Sequence, residues 1–205
     1  ESGAGPLPQG GNPAPRVVKM KPSYLIAASL VAITLTGCAA TETSEPTVAA
    51  PAQQTVQDQF FENLAKRCGQ AFAGRLASDA AQDHDMAGKD MVMHIRRCTP
   101  DRIEIPFHIG GATGGDGWDR SRTWIITRTE TGLRLKHDHR HADGSPDRVT
   151  LYGGDTDSLG TATHQSFPVD AGSIAMFKAN GLGASVTNIW TITISGEDLV
   201  YGLKR

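Results

Sequence analysis

The stretch LRLKHDHRH, residues 133–141, decides the architecture. Apolar Leu133 and Leu135 alternate with charged Arg134 and Lys136, and alternation over a short run marks a half-buried strand, not a helix. Side chains of a strand point alternately to its two faces. Leu133, Leu135, His137, His139 and His141 therefore share one face, and Arg134, Lys136, Asp138 and Arg140 the other. The leucines belong in a core, so the three histidines are expected to follow them inward, toward a lumen or its mouth. Just upstream, Glu130-Thr131-Gly132 reads as a tight hairpin turn, which makes residues 122–129 the antiparallel partner.

Working outward, further strands are expected at 75–78, 91–98, 103–109, 149–152, 161–167, 186–195 and 199–203. Turn signals separate them: Thr99-Pro100-Asp101, the loops 142–146 and 153–160, and Gly196-Glu197-Asp198. Two helices interrupt the pattern. Phe60, Phe61, Leu64, Ala65, Cys68 and Phe72 have helical spacing, which predicts an amphipathic helix over 57–72 ending near Gly69. A shorter helix is expected over 170–180, with Asp170 as its N-cap and Gly181 just past its end. Eight or nine short antiparallel strands suit an up-and-down barrel or a sandwich. Closure removes exposed edges and the first helix can cover one mouth. The expected fold is therefore mainly β, an antiparallel up-and-down barrel that is calycin-like (lipocalin-like) by fold-level analogy. The strand at 199–203 reaches Lys204 and Arg205 without a closing turn, so the barrel is expected to lack its last strand.

The first quarter of the chain reads as an address. Residues 1–19 are rich in Gly and Pro without apolar period and are expected to be a disordered upstream extension. Met20 and Lys21 give a short basic start, and residues 24–35, YLIAASLVAITL, are apolar. Twelve such residues are too few to span a bilayer and suit the h-region of a signal peptide. The run ends in Leu35-Thr36-Gly37-Cys38, which resembles the lipobox of bacterial lipoproteins. That resemblance implies a signal peptide over 20–37, lipidation of Cys38, and anchoring to the cell envelope facing the periplasm. The same resemblance implies that Ala39, in place of an Asp after the cysteine, favours the outer membrane. Acyl chains anchor because each buried methylene contributes about 0.8 kcal/mol. Residues 38–55 have the Thr, Ala, Pro and Gln content of a linker, leaving a single domain over 56–205. Cys68 and Cys98 remain; an even pair in an exported chain reads as a disulfide, closing a loop worth roughly 3 to 4 kcal/mol, with two separate buried thiols as the alternative.

The formal net charge of −2 argues against a nucleic-acid binder, which needs a basic excess over phosphates. The remaining chemistry centres on the histidine strand. His137, His139 and His141 on one face could place nitrogens around one zinc ion, with His94, His108 or His164 as further ligands and Asp143 in support. An open coordination position would then allow hydrolysis. The alternative is a polar network at the barrel mouth. Arg122 and Trp124 share a face with Arg120 and could bind an anion, or the arginines could pair with Asp138 or Asp155. The glycine-rich stretch 110–117 lacks the lysine of a phosphate-binding loop and reads as a hairpin loop, and Gly153-Gly154-Asp155-Thr156-Asp157 reads as a turn too short for a calcium loop. The favoured function is binding of a small apolar or anionic ligand by His137, His139, His141, Arg122 and Trp124. A zinc enzyme and a ligand-free structural lipoprotein are the rivals.

The chain carries Phe60-Phe61 with Cys68-Gly69, Val92-Met93-His94 with Cys98, Ile105-Pro106-Phe107-His108, residues 119–124, residues 135–141, Tyr152-Gly153-Gly154-Asp155-Thr156 and Phe167-Pro168-Val169-Asp170. As a set they resemble a family of uncharacterised bacterial secreted proteins and lipoproteins. The resemblance covers about residues 60–203 and implies no activity. Against the family's pattern, the loop 110–118 looks longer and the last strand is missing.

Overall fold

The computed structural model describes residues 16–23, 54–79, 81–112 and 116–205. The expected h-region, the lipobox with Cys38 and most of the linker lie outside these residues. Among the described residues, no helix is long and apolar enough to cross a membrane.

Among the described residues, eleven antiparallel strands form one sheet: β1 (Arg16–Ser23), β2 (Ala71–Leu76), β3 (Met91–His94), β4 (Arg97–Cys98), β5 (Arg102–Gly110), β6 (Trp118–Thr129), β7 (Gly132–His139), β8 (Tyr152–Asp155), β9 (His164–Pro168), β10 (Ile189–Ser195) and β11 (Asp198–Lys204). Their hydrogen-bonded order is β8-β7-β6-β5-β3-β2-β1-β11-β10-β9, with β4 beside β5. β1 takes in the end of the expected upstream extension and the basic start of the expected signal peptide, and it lies between β2 and β11. The flank of β11 where a further strand was expected is thus held by β1.

The fold is mainly β and antiparallel, but the expected closed barrel is not formed as a hydrogen-bonded cylinder. The sheet ends at β8 and β9, which share no ladder. The reason is local. β8 has four residues, and its free edge is occupied by other groups: Gly153 O accepts from Asp170 N at 2.9 Å, and Gly153 N donates to Ser173 Oγ at 2.8 Å. The two ends of the sheet nevertheless come very close. A Cβ on Gly154 would lie 1.6 Å from Pro168 O, and one on Gly153 would lie 1.9 Å from Leu135 O. The Gly-Gly pair, expected to be a loop, is therefore a point of close backbone approach inside a strand. The expected strand at 149–152 moves downstream for a related reason: Leu151 has φ +55, a left-handed conformation that interrupts extended structure.

The first helix, α1 (Val56–Ala65), ends earlier than the apolar spacing predicts. The chain turns through 66–69, with Gly69 at φ +85, and Phe72 belongs to β2 instead. Cys68 is bonded to Cys98, tying this turn to β4. Thr55 caps α1 through a reciprocal capping box with Asp58. Phe60, Phe61 and Leu64 enter the core. Gln57 donates to Thr156 Oγ1 at 2.9 Å, Arg128 pairs with Asp58, and the Arg128 guanidinium lies 4.3 Å from the Phe61 ring centre. These contacts set α1 at the end of the sheet where β6 turns into β7. The second helix, α2 (Ala171–Ala179), starts at Asp170, whose carboxylate accepts from Ser173 N at 2.7 Å, and Gly181 at φ +72 follows its end.

Candidate functional site

The turn Glu130-Thr131 fixes the register of β6 on β7, pairing Trp124 with His137 and Arg122 with His139. All four side chains line a cavity of about 290 Å³ at the end of the sheet away from α1. β10 and β11 supply the facing wall, with Trp190 from one and Tyr201 and Leu203 from the other, and alternation continues these inward faces into the core at Ile192 and Leu199.

The floor is aromatic. Trp124 is sandwiched between Phe107, with ring centres 4.6 Å apart, and Tyr201, 4.0 Å away. The His137 ring stacks on Tyr152 at 4.8 Å and lies 4.9 Å from Trp190. Tyr152 in turn packs against Phe177 of α2 at 5.1 Å. Such offset pairs contribute roughly 0.5 to 1.5 kcal/mol each beyond their burial. Above this floor the cavity is lined by Arg122, His139, Asp147, Asn188 and Arg205.

His137 is 2% exposed. Burial, with help from the charges of His139 and Lys136 and against the pull of the Tyr152 carbonyl, pushes its pKa down to about 3, so the ring is neutral at physiological pH. Nδ1 lies 3.2 Å from Tyr152 O and must donate to that carbonyl; Nε2, 2.9 Å from the Tyr201 hydroxyl, then accepts. Both nitrogens are engaged, and a metal ion would have to displace Tyr201. The Tyr152 hydroxyl and His139 Nε2 share a hydrogen bond of 2.9 Å. Burial, and then Arg122, also lower the pKa of His139. Arg122 pairs with Asp119. Partial burial works to raise the Asp119 carboxyl, but hydrogen bonds from Ser121 and Arg122 outweigh it and hold the pKa at about 2.

The structure separates His141 from the other two histidines. The ladder of β7 ends at His139, and the chain then turns, with His141 N donating to Ser145 O and Gly144 N donating to His141 O. His141 is exposed and outside the cavity. Asp143 stays in that turn, bonded to Ser145, and supports no histidine of the cavity. His94, His108 and His164 lie at the partly exposed positions of β3, β5 and β9 while their neighbours face the core. Among the described residues, no group of three or more His, Cys, Asp or Glu side chains is placed to hold a metal ion.

Arg120 departs from Arg122. The β5–β6 register shifts between Phe107 and Ile109, and Arg120 comes out exposed and paired with Asp116. The expected partners are engaged elsewhere, Asp138 with Arg140 and Asp155 with Arg134.

The sequence reading missed Tyr152, Trp190, Tyr201, Asn188, Asp147 and Arg205 as lining residues. The alternation Trp190-x-Ile192-x-Ile194 marks Trp190 as inward, but nothing local says which strand it faces.

The chain matches no family model, no curated protein and no solved structure.

Proposed function

We propose that this chain is a lipid-anchored bacterial envelope protein whose folded domain binds a small ligand in the aromatic-floored cavity. The observation that carries the binding reading is the cavity itself: about 290 Å³, aromatic below and polar at its rim. That volume sits at the small end of ligand pockets, which run about 300 to 1,000 Å³, and apolar walls with a few convergent polar groups are their usual composition. His137 with Tyr201, and His139 with Tyr152, stiffen the walls so that little order is left to impose on binding. The near meeting of β8 and β9 supports describing the sheet as an incomplete, calycin-like barrel with this cavity at one mouth. Residues 20–38 support the envelope location; cleavage before Cys38 would remove β1 and open the sheet between β2 and β11, while every residue that lines the cavity stays on the mature chain.

The test is calorimetric titration of the full chain with small apolar and monoanionic molecules, beside a Val149→Trp variant. Val149 lines the cavity and is partly buried, so the larger ring should fill the space. Saturable binding to the parent and none to a folded Val149→Trp protein is expected. Absence of any binding, or binding unchanged by the filled cavity, overturns the reading.

A further inference from the structure

β1 sits within the sheet, yet it belongs to the part of the chain that the envelope reading removes. Residues 16–20 pair with 203–199 of β11, and residues 18–23 with 76–71 of β2. Both ladders are antiparallel, so β2 and β11 run parallel to each other on its two sides. Cleavage before Cys38 leaves a slot one strand wide, roughly 9 to 10 Å between β2 and β11. Its walls are rows of backbone N–H and C=O groups stripped of their ladder partner. Its inner side is apolar: Phe72, Leu199 and Tyr201 are buried in the seated state, and Leu76 and Leu203 partly so. Tyr201 also stacks on Trp124 and bonds His137, so the state of the slot reaches the cavity. Direct closure of β2 on β11 would be parallel pairing, the weaker kind, and would draw the flanking strands together by a strand's width. The chain's own linker is a poor filler. Residues 39–55 contain Pro46 and Pro51, which cannot donate to a ladder, and their only large apolar residue is Val48.

We propose that the mature protein takes a strand in trans at this slot: an extended segment of another envelope polypeptide, antiparallel to both β2 and β11. The inference rests on the lipid-anchor reading, because removal of β1 is what vacates the slot. Its length is about six to eight residues, the span over which β1 pairs. The seated β1 also gives the register. The positions opposite Leu76 and Tyr201, opposite Gly74 and Leu199, and opposite Phe72 share the core face. The incoming strand therefore needs apolar residues at these three alternate positions, where β1 has Val18, Met20 and Pro22. The position between the first two lies on the outer face, opposite Val200 and Arg75. β1 sets Lys19 there, directly across from Arg75, an exposed residue whose carboxylate partner Asp90 comes from the β3 side. Like charges directly opposite disfavour pairing, so an acidic residue suits this position better than a lysine. The partner strand thus reads apolar, acidic, apolar, and β1 is a stand-in with one mismatch.

The test uses the full chain with a site-specific protease sequence in place of residues 42–48. After cutting, fluorescein-labelled peptides of residues 15–24 are titrated in, in excess over the released segment. Three are compared: the natural sequence, a Lys19→Glu form, and a Val18→Pro, Met20→Pro form that lacks two backbone donors. The natural peptide should bind the cut chain saturably. The uncut chain, with β1 held in cis at high effective concentration, should bind it about tenfold or more weakly. The proline form should fail, and the Lys19→Glu form should bind about threefold more tightly than the natural one. A cut chain that unfolds when the released segment is washed away, and refolds by circular dichroism when peptide is added, supports the proposal equally. A cut chain that stays folded and takes no peptide overturns it, because β2 and β11 have then closed without a third strand. So does unfolding that no peptide reverses, or binding of the proline form as tight as the natural one. A Lys19→Glu peptide no tighter than the natural one overturns the acidic pattern. The anchor reading is judged separately, by mass spectrometry of the protein extracted from host membranes. A first residue upstream of Cys38 with β1 retained sinks that reading, and the slot is then filled in cis whatever the peptides do.

Discussion

His137 should make this fold acid-sensitive between its folded and unfolded pKa values. Its folded pKa is pushed down to about 3, first by burial, against about 6.5 in an unfolded chain. Between those values the unfolded chain binds a proton that the folded chain refuses. Stability therefore rises with pH through this window: the contribution is fully present above the unfolded pKa and is lost as pH falls toward the folded one. At about 1.4 kcal/mol per pH unit, the loss between pH 7.5 and pH 4.5 is about 3 kcal/mol. The comparison is urea unfolding of the parent and a His137→Gln variant at both pH values, with the urea slope held common. The glutamine carbonyl can still accept from Tyr201 but cannot titrate. His139 and His108 are lowered as well, in both cases mainly by burial, but they remain in the variant and cancel. Asp119, held at about 2, stays ionised at both pH values. The parent should lose about 3 kcal/mol more than the variant. Equal losses, or an NMR titration of His137 with a midpoint near 6.5, would refute the assignment of a buried neutral imidazole.

Two further outcomes are expected. Gly154→Ala should destabilise by about 3 kcal/mol, the top of the range for overpacked sites, because its Cβ would meet Pro168 O at 1.6 Å; a thermal melt indistinguishable from the parent's would show that β8 and β9 do not approach this closely. Cys38→Ser should abolish incorporation of labelled palmitate in a bacterial host and move the protein from the membrane to the soluble fraction, and labelling that persists would remove the lipid-anchor proposal.

Much of the strand pattern was legible because the forces that set it are local. Alternation in 133–139 gives β7, Glu130-Thr131 closes its hairpin, and together they fix Trp124 opposite His137 and Arg122 opposite His139. The misreadings share one cause: a residue with a strong local preference was used for a tertiary purpose. Gly153 and Gly154 read as a turn, yet they let β8 pass close to Leu135 and Pro168. The apolar series from Phe60 to Phe72 reads as one helix, but Phe72 reaches the core from a strand because the chain turns at Cys68-Gly69. His141 continues the alternation in the sequence but not in space, because the ladder stops at His139.

The site shows the same division more sharply. Its β6–β7 half comes from one hairpin, so a local reading reaches it. Its other half comes from β10 and β11, which meet the first across the interior: Tyr201 stacks on Trp124 and donates to His137 only because β11 lies opposite β6 and β7. No spacing within the chain encodes that encounter. This changes what the histidines are for. Read from one strand alone, three imidazoles in a row resemble a ligand set for a metal. With the second wall in place, His137 serves as a buried, neutral hydrogen-bonding post for Tyr152 and Tyr201, and His139 as a brace for the Tyr152 hydroxyl.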